Sequence, residues 1–501
     1  MPHNVLFLMT DQHRVDAIGC YGNANARTPN LDRLAASGTL FRNAFTPTAI
    51  CTPARASLLT GQAPFRHRLL ANAEWNTGYL TELPEGTPTF SAALRDYGYN
   101  VGLIGKWHVG ERLGPDAYGF DGPHLAGAMN PILHEEYQKY LAERNLPAPR
   151  ITDPVRGTLP GGRPGHLLAG RLQQPVEATY EHFLADRAIE LLRRYAADGD
   201  RPFHLSLHFF GPHLPYLIPD EYYDLIDPST VELPGSFAET FAGKPDAQRN
   251  YSTYWSADSF DADEWRKLIA VYHGYGALID AEIGRVLDTL TELGLDDDTA
   301  VFFTADHGEF TGAHRLNDKG PAMYDDIYRI PFLLRVPGAR QGRTDDRFVT
   351  LTDATATILD LAGLPTDLCP NARPAGAAPD GRSLLPLVRD EPVPDWRTEL
   401  VAEFHGHHFH YQQRMLRDER YKLVVNAESV NELYDLATDP DELVNVYPTP
   451  HYAAVRRDML RRLHTALSVR GDDVFARWML AITDLDVPLT NSSRSDFASL
   501  E

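Results

Sequence analysis

The stretch Val5-Leu6-Phe7-Leu8-Met9 is a short apolar run that is followed, after Thr10, by the polar pair Asp11-Gln12. Such a run, closed by polar residues, is typical of a strand that is buried on both faces of a parallel sheet. Three further runs of this kind occur at residues 101–104, 203–209 and 300–304. Helical patterns lie between them, at residues 28–37, 178–196 and, with breaks, 263–293. We therefore predict an α/β fold with a mostly parallel sheet and helices on both faces.

The composition is that of a globular protein with a large core. The chain has 501 residues, of which 43% are hydrophobic, so we expect more than one domain. Its 69 acidic residues exceed its 47 basic ones, and the net charge of −22 argues against a nucleic-acid partner. We expect no membrane span and no signal peptide, because the first apolar run is short and lacks a basic segment before it. Three cysteines make no disulfide framework, and we expect a cytoplasmic protein.

Two stretches rich in glycine and proline divide the chain. Residues 111–175 show weak periodicity, and we predict a long irregular excursion there that shapes a pocket. The second stretch, residues 363–396, is followed by a strand pattern at 421–425 and a final helix near 452–468. We therefore predict a catalytic domain at residues 1–370, a smaller C-terminal α+β subdomain at 371–488 and a polar tail at 489–501.

Polar groups follow each of the four predicted strands. In an open parallel sheet such groups meet at the carboxyl edge, where ligands bind. Each group alone has a structural explanation, since Asp11 could cap a helix, His213 could lie in a turn, and Asp306 and His307 could form a plain turn. Their coincidence at four strand ends instead predicts a metal site beside an anion site. The groups are Asp11-Gln12, Gly105-Lys106-Trp107-His108, Gly211-Pro212-His213 and Ala305-Asp306-His307-Gly308.

The segment Cys51-Thr52-Pro53-Ala54-Arg55 predicts an anion pocket at the start of a helix. Pro53 suits a first helical turn, so Cys51 would lie at the N-terminus, where free N–H groups favour negative charge. Arg55, four residues on, would lie on the same face. A buried small hydrophobic residue would account for the cysteine, but it would not account for the proline and arginine around it.

This segment resembles the type I sulfatase signature C-x-P-x-R, in which the cysteine is converted to Cα-formylglycine. The other polar groups are similar to further blocks of that family and occur in its order, as does the pair Lys319-Gly320. The stretches 432–436 and 439–445 resemble the family's C-terminal subdomain. The resemblance implies an alkaline-phosphatase-like α/β fold, a divalent metal and hydrolysis of an ester of sulfate or a related oxyanion.

Residue roles are implied by the same resemblance. Arg55, Lys106 and Lys319 would hold the ester oxygens, and His213 or His108 would protonate the leaving group; which histidine does so stays open. The implied catalytic set is Cys51, Arg55, Lys106, His108, His213 and Lys319. The implied metal set is Asp11, Gln12, Cys51, Asp306 and His307. The implied partners are a small-molecule ester and a formylglycine-generating enzyme, while no oligomeric state is assigned.

Two positions depart from the commonest sulfatase pattern. Gln12 stands where many sulfatases have a second aspartate, and His307 stands where they have an asparagine. The shell is therefore less anionic, and we expect Ca²⁺ first and Mn²⁺ second, with Mg²⁺ as a further candidate. The Gln and His pair also resembles the phosphonate monoester hydrolase and phosphodiesterase branch, which is the alternative activity. Lys106 and His108 resemble the sulfatase form of their block.

Two other classes of protein are less consistent with these residues. A non-enzymatic metal-binding protein would not need Arg55 or the two lysines, and a phosphomonoesterase would carry serine or threonine at position 51. For the substrate pocket the candidates are Asn72, Glu74, Trp75, Asn76, His405, His407, His408 and His410. We favour a solvated surface or an interface for the four histidines over a ligand role.

Overall fold

A computed structural model describes residues 3–74, 77–122, 131–370, 374 and 377–486. Its strands are β1 Asn4–Thr10, β2 Thr39–Phe41, β3 Ala44–Phe45, β4 Asn100–Gly105, β5 Ile151–Leu159, β6 Arg163–Leu172, β7 Phe203–His208, β8 Tyr216–Pro219, β9 Thr299–Ala305, β10 Phe332–Arg335, β11 Arg343–Asp345, β12 Val349–Thr350, β13 Glu399–His407, β14 Phe409–Asp418, β15 Tyr421–Asn426 and β16 Glu432–Asp435. Its α-helices are α1 Pro29–Ser37, α2 Cys51–Thr60, α3 Pro64–His67, α4 Phe90–Asp96, α5 Glu135–Glu143, α6 Tyr180–Asp198, α7 Asp220–Tyr223, α8 Asp246–Tyr254, α9 Ala262–Glu292, α10 Asp325–Tyr328, α11 Leu351–Leu361, α12 Leu385–Val388, α13 Ala453–Arg470 and α14 Asp473–Ile482.

The central sheet has the strand order β11-β2-β10-β9-β1-β7-β4. The four strands predicted from apolar runs, β1, β4, β7 and β9, are parallel neighbours, and β1 lies between β7 and β9. Strand β10 pairs antiparallel with β9 at one side of this group. The carboxyl ends of the four parallel strands therefore meet at one edge, as the sequence predicts.

Helices cover both faces of this sheet. Leu6 and Leu8 of β1 belong to a core that includes residues of α1, α6 and α9. Val5, Phe7 and Met9, which alternate with them, belong to a second core with α2, α4 and α11. This alternation follows from the two-residue period of a strand. It confirms the prediction of an α/β fold with a doubly covered sheet.

Helix α9 runs through the predicted breaks without interruption. It begins with a capping box, in which the Asp261 side chain accepts hydrogen bonds from the N–H groups of Asp263 and Glu264 while the Glu264 side chain accepts from that of Asp261. The helix continues for 31 residues to Glu292. Its length lets it line the whole face of the core that contains α6 and β1.

The prediction of an irregular excursion at residues 111–175 is wrong for its second half. Strands β5 and β6 form an antiparallel hairpin with register shifts, and β6 pairs in parallel with β8. Helix α5 precedes the hairpin. The shifts interrupt the regular alternation of buried and exposed residues, and β5 has only one buried residue, Gly157. The hydrophobic period that identifies a strand is therefore missing from the sequence.

The C-terminal part contains the antiparallel sheet β13-β14-β15-β16. The predicted strand at 421–425 and the predicted helix near 452–468 correspond to β15 and α13, so both are confirmed. Helix α14 follows α13, however, and the earlier helix is therefore not the final one. Both helices pack on the sheet through Leu463, Phe475 and Met479. The domain boundary at residue 370 stays a prediction, and the predicted tail lies outside the described residues.

None of the helices in the described ranges has the length and apolar character needed to cross a bilayer.

Candidate active site

The predicted site residues are carried by loops that leave the strand ends and by the start of α2. Asp11 directly follows β1, Lys106 follows β4, and Asp306 follows β9. Main-chain hydrogen bonds tie these loops together: the N–H of Asp11 donates to Gly211 (3.2 Å), that of Lys106 to His208 (2.9 Å) and that of Asp306 to Thr10 (3.3 Å). Each functional side chain therefore starts from backbone that is held in the register of the sheet.

Asp11, Cys51, Asp306 and His307 form a buried group of donors whose ligand atoms lie within 4.8 Å of one another. The ring Nδ1–H of His307 donates to the Gly308 carbonyl (2.8 Å), and its Nε2 lies 3.2 Å from the Cys51 sulfur. Such a bond at the outer nitrogen leaves the inner nitrogen free to coordinate a metal. Burial and the neighbouring Asp11 carboxylate raise the pKa of Asp306 to about 6, whereas Lys106 and Arg55 outweigh burial at Asp11 and hold its pKa well below the usual range. The donor set therefore fits a divalent cation.

Arg55 bridges the carboxylates of Asp11 and Asp306 through hydrogen bonds to both. Its Nη2 donates to Asp11 Oδ2 (2.8 Å) and its Nε to Asp306 Oδ2 (2.9 Å), while Nη1 donates to the Lys106 carbonyl (2.8 Å). The guanidinium is only 2% exposed. Of the other two carboxylate oxygens, Asp11 Oδ1 lies 3.8 Å from the Cys51 sulfur, and Asp306 Oδ1 accepts from the backbone N–H groups of Gln12 and His307. Arg55 thus orients the donors, while its predicted role in holding the ester oxygens stays a prediction.

Cys51 is the first residue of α2 and is fully buried. Burial and the Asp11 carboxylate raise the pKa of its thiol, but Lys106, Lys319 and His307 outweigh them, so that the pKa lies well below its usual range. The helix N-terminus favours negative charge in the same direction. The group at position 51 therefore lies in a pocket that stabilises an anion, as predicted from Pro53 and Arg55.

Lys106 and Lys319 approach this pocket from two sides. The ammonium of Lys106 lies 2.7 Å from Asp11 Oδ2. That of Lys319 lies 3.0 Å from both the Gln12 side-chain oxygen and His213 Nε2. Both lysines are nearly inaccessible to solvent. Two buried cations next to Cys51 suit an anionic ester with several non-bridging oxygens, such as a sulfate or phosphate ester.

The two histidines are neutral bases in this environment. Burial lowers the pKa of His108 to about 4, with Lys106 acting in the same direction. Burial and Lys319 lower the pKa of His213, whose Nδ1–H donates to Leu214 (2.6 Å). A hydrogen bond to Cys51 opposes the shift in both cases. Both rings therefore lie beside position 51 and are able to accept a proton there.

Gln12 occupies the boundary between the metal donors and the anion pocket. Its backbone N–H donates to Asp306 Oδ1 (3.1 Å), and its side-chain amide donates to Asp318 (2.9 Å) and to Glu309. Its amide oxygen accepts from Lys319. The structure thus brings Gln12 to the site, while its role as a metal ligand stays a prediction.

Among the pocket candidates, Glu74, His407 and His408 form a second cluster. The expectation of a solvated histidine surface is wrong for His405 and His407, whose side chains are buried. His405 pairs with Glu403 (2.9 Å), whereas His410 is exposed. Asn72 accepts a hydrogen bond from the N–H of Thr52 (3.1 Å). Trp75 and Asn76 lie outside the described residues.

Sequence reasoning missed Glu309, Asp318 and Tyr251. Glu309 follows the Asp306-His307-Gly308 group directly, and Asp318 precedes Lys319, so adjacency to predicted residues could have indicated both. Both carboxylates are buried and contact Gln12. Tyr251, whose hydroxyl donates to Asp318 (3.0 Å), comes from the distant helix α8 and has no such indication.

Known proteins resemble this chain along nearly its whole length. The family model described as "Sulfatase" matches residues 3–364, and the model described as "N-sulphoglucosamine sulphohydrolase, C-terminal" matches residues 312–468. The multifunctional alkaline phosphatase superfamily protein PehA of Trinickia caryophylli is 31% identical over 517 residues, which cover 92% of this chain and 94% of that protein. The uncharacterized sulfatase YidJ of Escherichia coli (strain K12) is 28% identical over 503 residues, covering 95% and 92% respectively.

Among solved structures, the phosphonate monoester hydrolase SpPMH from Silicibacter pomeroyi is similar with a TM-score of 0.74 and 27% identity. The match covers 96% of each chain. This similarity confirms the predicted alkaline-phosphatase-like fold, including the C-terminal sheet.

Proposed function

Because this chain belongs to the sulfatase family, we propose that it hydrolyses sulfate monoesters through a formylglycine made from Cys51. The observation that carries this proposal is the position of Cys51, which is buried at the N-terminus of α2 between two lysines and a group of metal donors. In its family the reaction is hydrolysis of sulfuric esters. The formylglycine, the metal and the substrate preference are our proposals.

Asp11, Asp306 and His307 would hold the divalent metal, with Gln12 and the group at position 51 completing the shell. The carboxylate and amide oxygens favour Ca²⁺, whereas the imidazole makes Mn²⁺ acceptable. When bound, the metal makes the attacking hydroxyl more acidic and neutralises ester oxygens. Arg55 keeps both aspartates turned toward this shell through its bonds to their Oδ2 atoms.

The hydrated formylglycine would supply one hydroxyl oxygen that attacks sulfur and a second hydroxyl that allows sulfate to be expelled. Lys106 and Lys319 hold the ester oxygens, because their ammonium groups are buried beside position 51 and act in a medium of low dielectric. His108 fits the role of the base that takes a proton, since its pKa is about 4 and its Nδ1 has no hydrogen-bond partner among the described residues. Protonation of the leaving-group oxygen is assigned to the side of Lys319 and His213, a proposal supported by the 3.0 Å distance between Lys319 Nζ and His213 Nε2.

A second candidate function is hydrolysis of phosphonate monoesters and phosphate diesters. It is favoured by the pair Gln12 and His307 and by the similarity to the phosphonate monoester hydrolase SpPMH. Lys106 and His108 favour the sulfate ester, and we weigh them more heavily because they would contact the oxyanion directly. The metal donors mainly set the charge behind it.

The test compares three esters of the same phenol: a sulfate, a phosphate diester and a phosphonate. Protein would be coexpressed with a formylglycine-generating enzyme, loaded with Ca²⁺ or Mn²⁺, and assayed after mass spectrometry of the peptide that contains residue 51. We expect conversion of Cys51 and the highest kcat/KM for the sulfate. A higher value for the diester or phosphonate would transfer the assignment to the second function.

Variants at two cysteines provide the controls. Cys51→Ala should abolish turnover while its thermal unfolding stays close to that of the parent protein. Cys20→Ala should keep full activity, because Cys20 is a partly buried cysteine with no contact to the site. An active Cys51→Ala variant would rule out the proposed nucleophile, whatever the substrate.

A further inference from the structure

The cluster outside the donor group, Glu74 with His407 and His408, is connected to the anion pocket by one carboxylate. Asp318 Oδ1 lies 3.1 Å from the Lys319 ammonium, and its Oδ2 lies 3.5 Å from His407 Nε2. On the far side of the ring, His407 Nδ1–H donates to Glu74 (2.7 Å). Lys319, Asp318, His407 and Glu74 thus form a series of alternating cationic and anionic side chains that ends at the Lys319 ammonium in the anion pocket.

We propose that His407, held by Glu74, is a positioning residue that fixes the Asp318 carboxylate and through it the Lys319 ammonium. This inference rests on the proposed function in that Lys319 is taken to hold an oxyanion. It assigns a role in the reaction to His407 of the C-terminal sheet and to Glu74, which lies in the segment after α3. Both act through Asp318, and neither is expected to touch the ester.

Three of these four side chains are almost fully buried, and the fourth, Glu74, is partly buried. Side-chain exposure is 6% for His407 and 2% each for Asp318 and Lys319. The Asp318 carboxylate also accepts hydrogen bonds from Tyr251 and from the Gln12 amide (2.9 Å). The Tyr251 ring leaves no room for a side chain at Gly320, so the backbone next to Lys319 is confined as well. Substitution of His407 therefore removes one ion-pair partner of Asp318, and no other side chain of the series is free to replace it.

The conformation of the hairpin between β13 and β14 places His407 beside Asp318. A register shift occurs between Phe404 and Gly406, and a Cβ at Gly406 would lie 2.4 Å from the Phe409 carbonyl. His408 then takes a left-handed conformation with φ 65° and joins the two strands. Its N–H donates to the second oxygen of Glu74 (2.6 Å). Bulges of this kind turn a strand end and re-aim its side chains.

The charge of His407 affects how strongly the Lys319 ammonium can attract an anion. If Asp318 had Lys319 as its only cationic neighbour, the carboxylate would neutralise the ammonium that should attract the oxyanion. Burial lowers the pKa of His407, but its contacts with Asp318 and Glu74 outweigh burial and raise the pKa above its usual value. A protonated His407 on the other side of Asp318 shares this negative charge and leaves Lys319 more positive toward the ester. Both ring nitrogens of His407 face carboxylates, so we interpret the cluster as a series of ion pairs and not as a second metal site.

The test measures binding of inorganic sulfate by calorimetry and, separately, KM and kcat for the aryl sulfate, on the metal-loaded enzyme. We expect His407→Gln to weaken sulfate binding and to raise KM roughly tenfold, about the effect of one lost charge-assisted contact. The kcat should change less, because Lys319 holds the oxygens before and during the reaction. Glu74→Gln should act in the same direction with a smaller effect, and it serves if His407→Gln does not fold.

A double-mutant cycle with Lys319→Ala separates positioning from a merely structural role. If His407 acts through Lys319, His407→Gln should cause no further loss of sulfate binding in the Lys319→Ala background. Additive losses, or wild-type sulfate binding in folded His407→Gln and Glu74→Gln, would overturn the inference. His451→Ala, an exposed histidine of the same subdomain, is the matched control and should bind sulfate normally. Because sulfate binding is read without turnover, failure of the proposed sulfatase activity would be visible separately, in the ester panel.

Discussion

At the scale of single residues, the two aspartates of the donor group and the neighbouring Gln12 have different partners. Asp11 and Asp306 share Arg55 and bring negative charge to the cluster. Gln12 brings only a neutral amide, whose oxygen accepts from Lys319. The three side chains follow strand ends in the same way, and yet their electrostatic contributions differ.

We therefore predict that metal retention depends more on the two aspartates than on Gln12. In Asp11→Ala and Asp306→Ala, the bound divalent metal should fall well below one equivalent, because charge that neutralises the cation is lost. Gln12→Ala should retain more of it. Elemental analysis of the purified variants, with circular dichroism as the control for folding, decides the question. Equal retention in all three variants would contradict the prediction.

A second residue-scale prediction concerns Lys106. Lys106→Ala should lower kcat/KM for an aryl sulfate by roughly 10²-fold, the order expected when one preorganised charge at a reacting oxygen is removed. The measurement uses a series of aryl sulfates with leaving groups of different pKa. Lys139→Ala, which changes an exposed lysine of α5, should keep wild-type rates. A Lys106→Ala variant with wild-type kcat/KM would remove Lys106 from the catalytic set.

At the scale of elements, helices α6 and α9 are joined by a buried hydrogen bond whose acceptor titrates near neutral pH. The Tyr275 hydroxyl of α9 donates to Glu181 of α6 (2.6 Å). Burial raises the pKa of Glu181 to about 7, although this hydrogen bond opposes the shift. The folded protein therefore holds the proton more tightly than the unfolded chain, whose pKa is near 4.5.

This shift predicts that the stabilising contribution of Glu181 is full below about pH 4.5 and is lost as pH rises through about 7. Relative to Glu181→Gln, the wild-type free energy of unfolding should fall by roughly 2–3 kcal/mol between pH 5 and pH 8. Denaturant titrations at both pH values measure this difference. Glu190→Gln, on the exposed side of α6, should show no such trend. A constant difference between wild type and Glu181→Gln would contradict the assigned pKa.

The sequence predicted those elements whose buried residues form a regular pattern along the chain. Strands β1, β4, β7 and β9 are buried on both faces and read as apolar runs. The hairpin β5–β6 was missed because its register shifts break the alternation. Helix α14 was missed although it has a regular pattern, since the sequence DVFARWMLAI directly follows the turn that ends α13.

The site was predictable where residues follow strand ends and unpredictable where distant elements meet. Asp11, Cys51, Asp306 and His307 are assembled as expected. His407 contacts Asp318 from the β13–β14 hairpin, which is distant in sequence, so the local sequence does not show which residue it meets. Long-range packing of this kind is decided by the tertiary structure, which a single sequence does not display.

At the scale of the whole molecule, a buried lysine joins the C-terminal sheet to the central part. Lys422 of β15 is fully buried and contacts Asp325 of α10, Glu442 (2.6 Å) and the Met323 carbonyl (3.2 Å). Its removal would take this cation from both carboxyl groups and leave Arg417, at 3.4 Å from Asp325, on the Asp325 side only. Loss of one partner of a buried ion pair is costly.

We predict that Lys422→Met lowers the free energy of unfolding by roughly 3–5 kcal/mol. The two parts should still unfold together, because the lysine lies at their contact and its loss affects both. Calorimetry with near-ultraviolet circular dichroism measures the transition, and Lys139→Met is the exposed control. A Lys422→Met protein as stable as the wild type would show that the contact contributes little.

The burial of Cys51 also has a consequence in time. All ten residues of α2 are inaccessible, and the thiol is enclosed by donors that include Asp306 and His307, which follow β9. About 240 residues separate the end of α2 from β9, or about 12 to 48 seconds of synthesis at 5–20 residues per second. If Cys51 is converted as we propose, the converting enzyme would have to reach the thiol before the chain folds and β9 brings Asp306 and His307 over it.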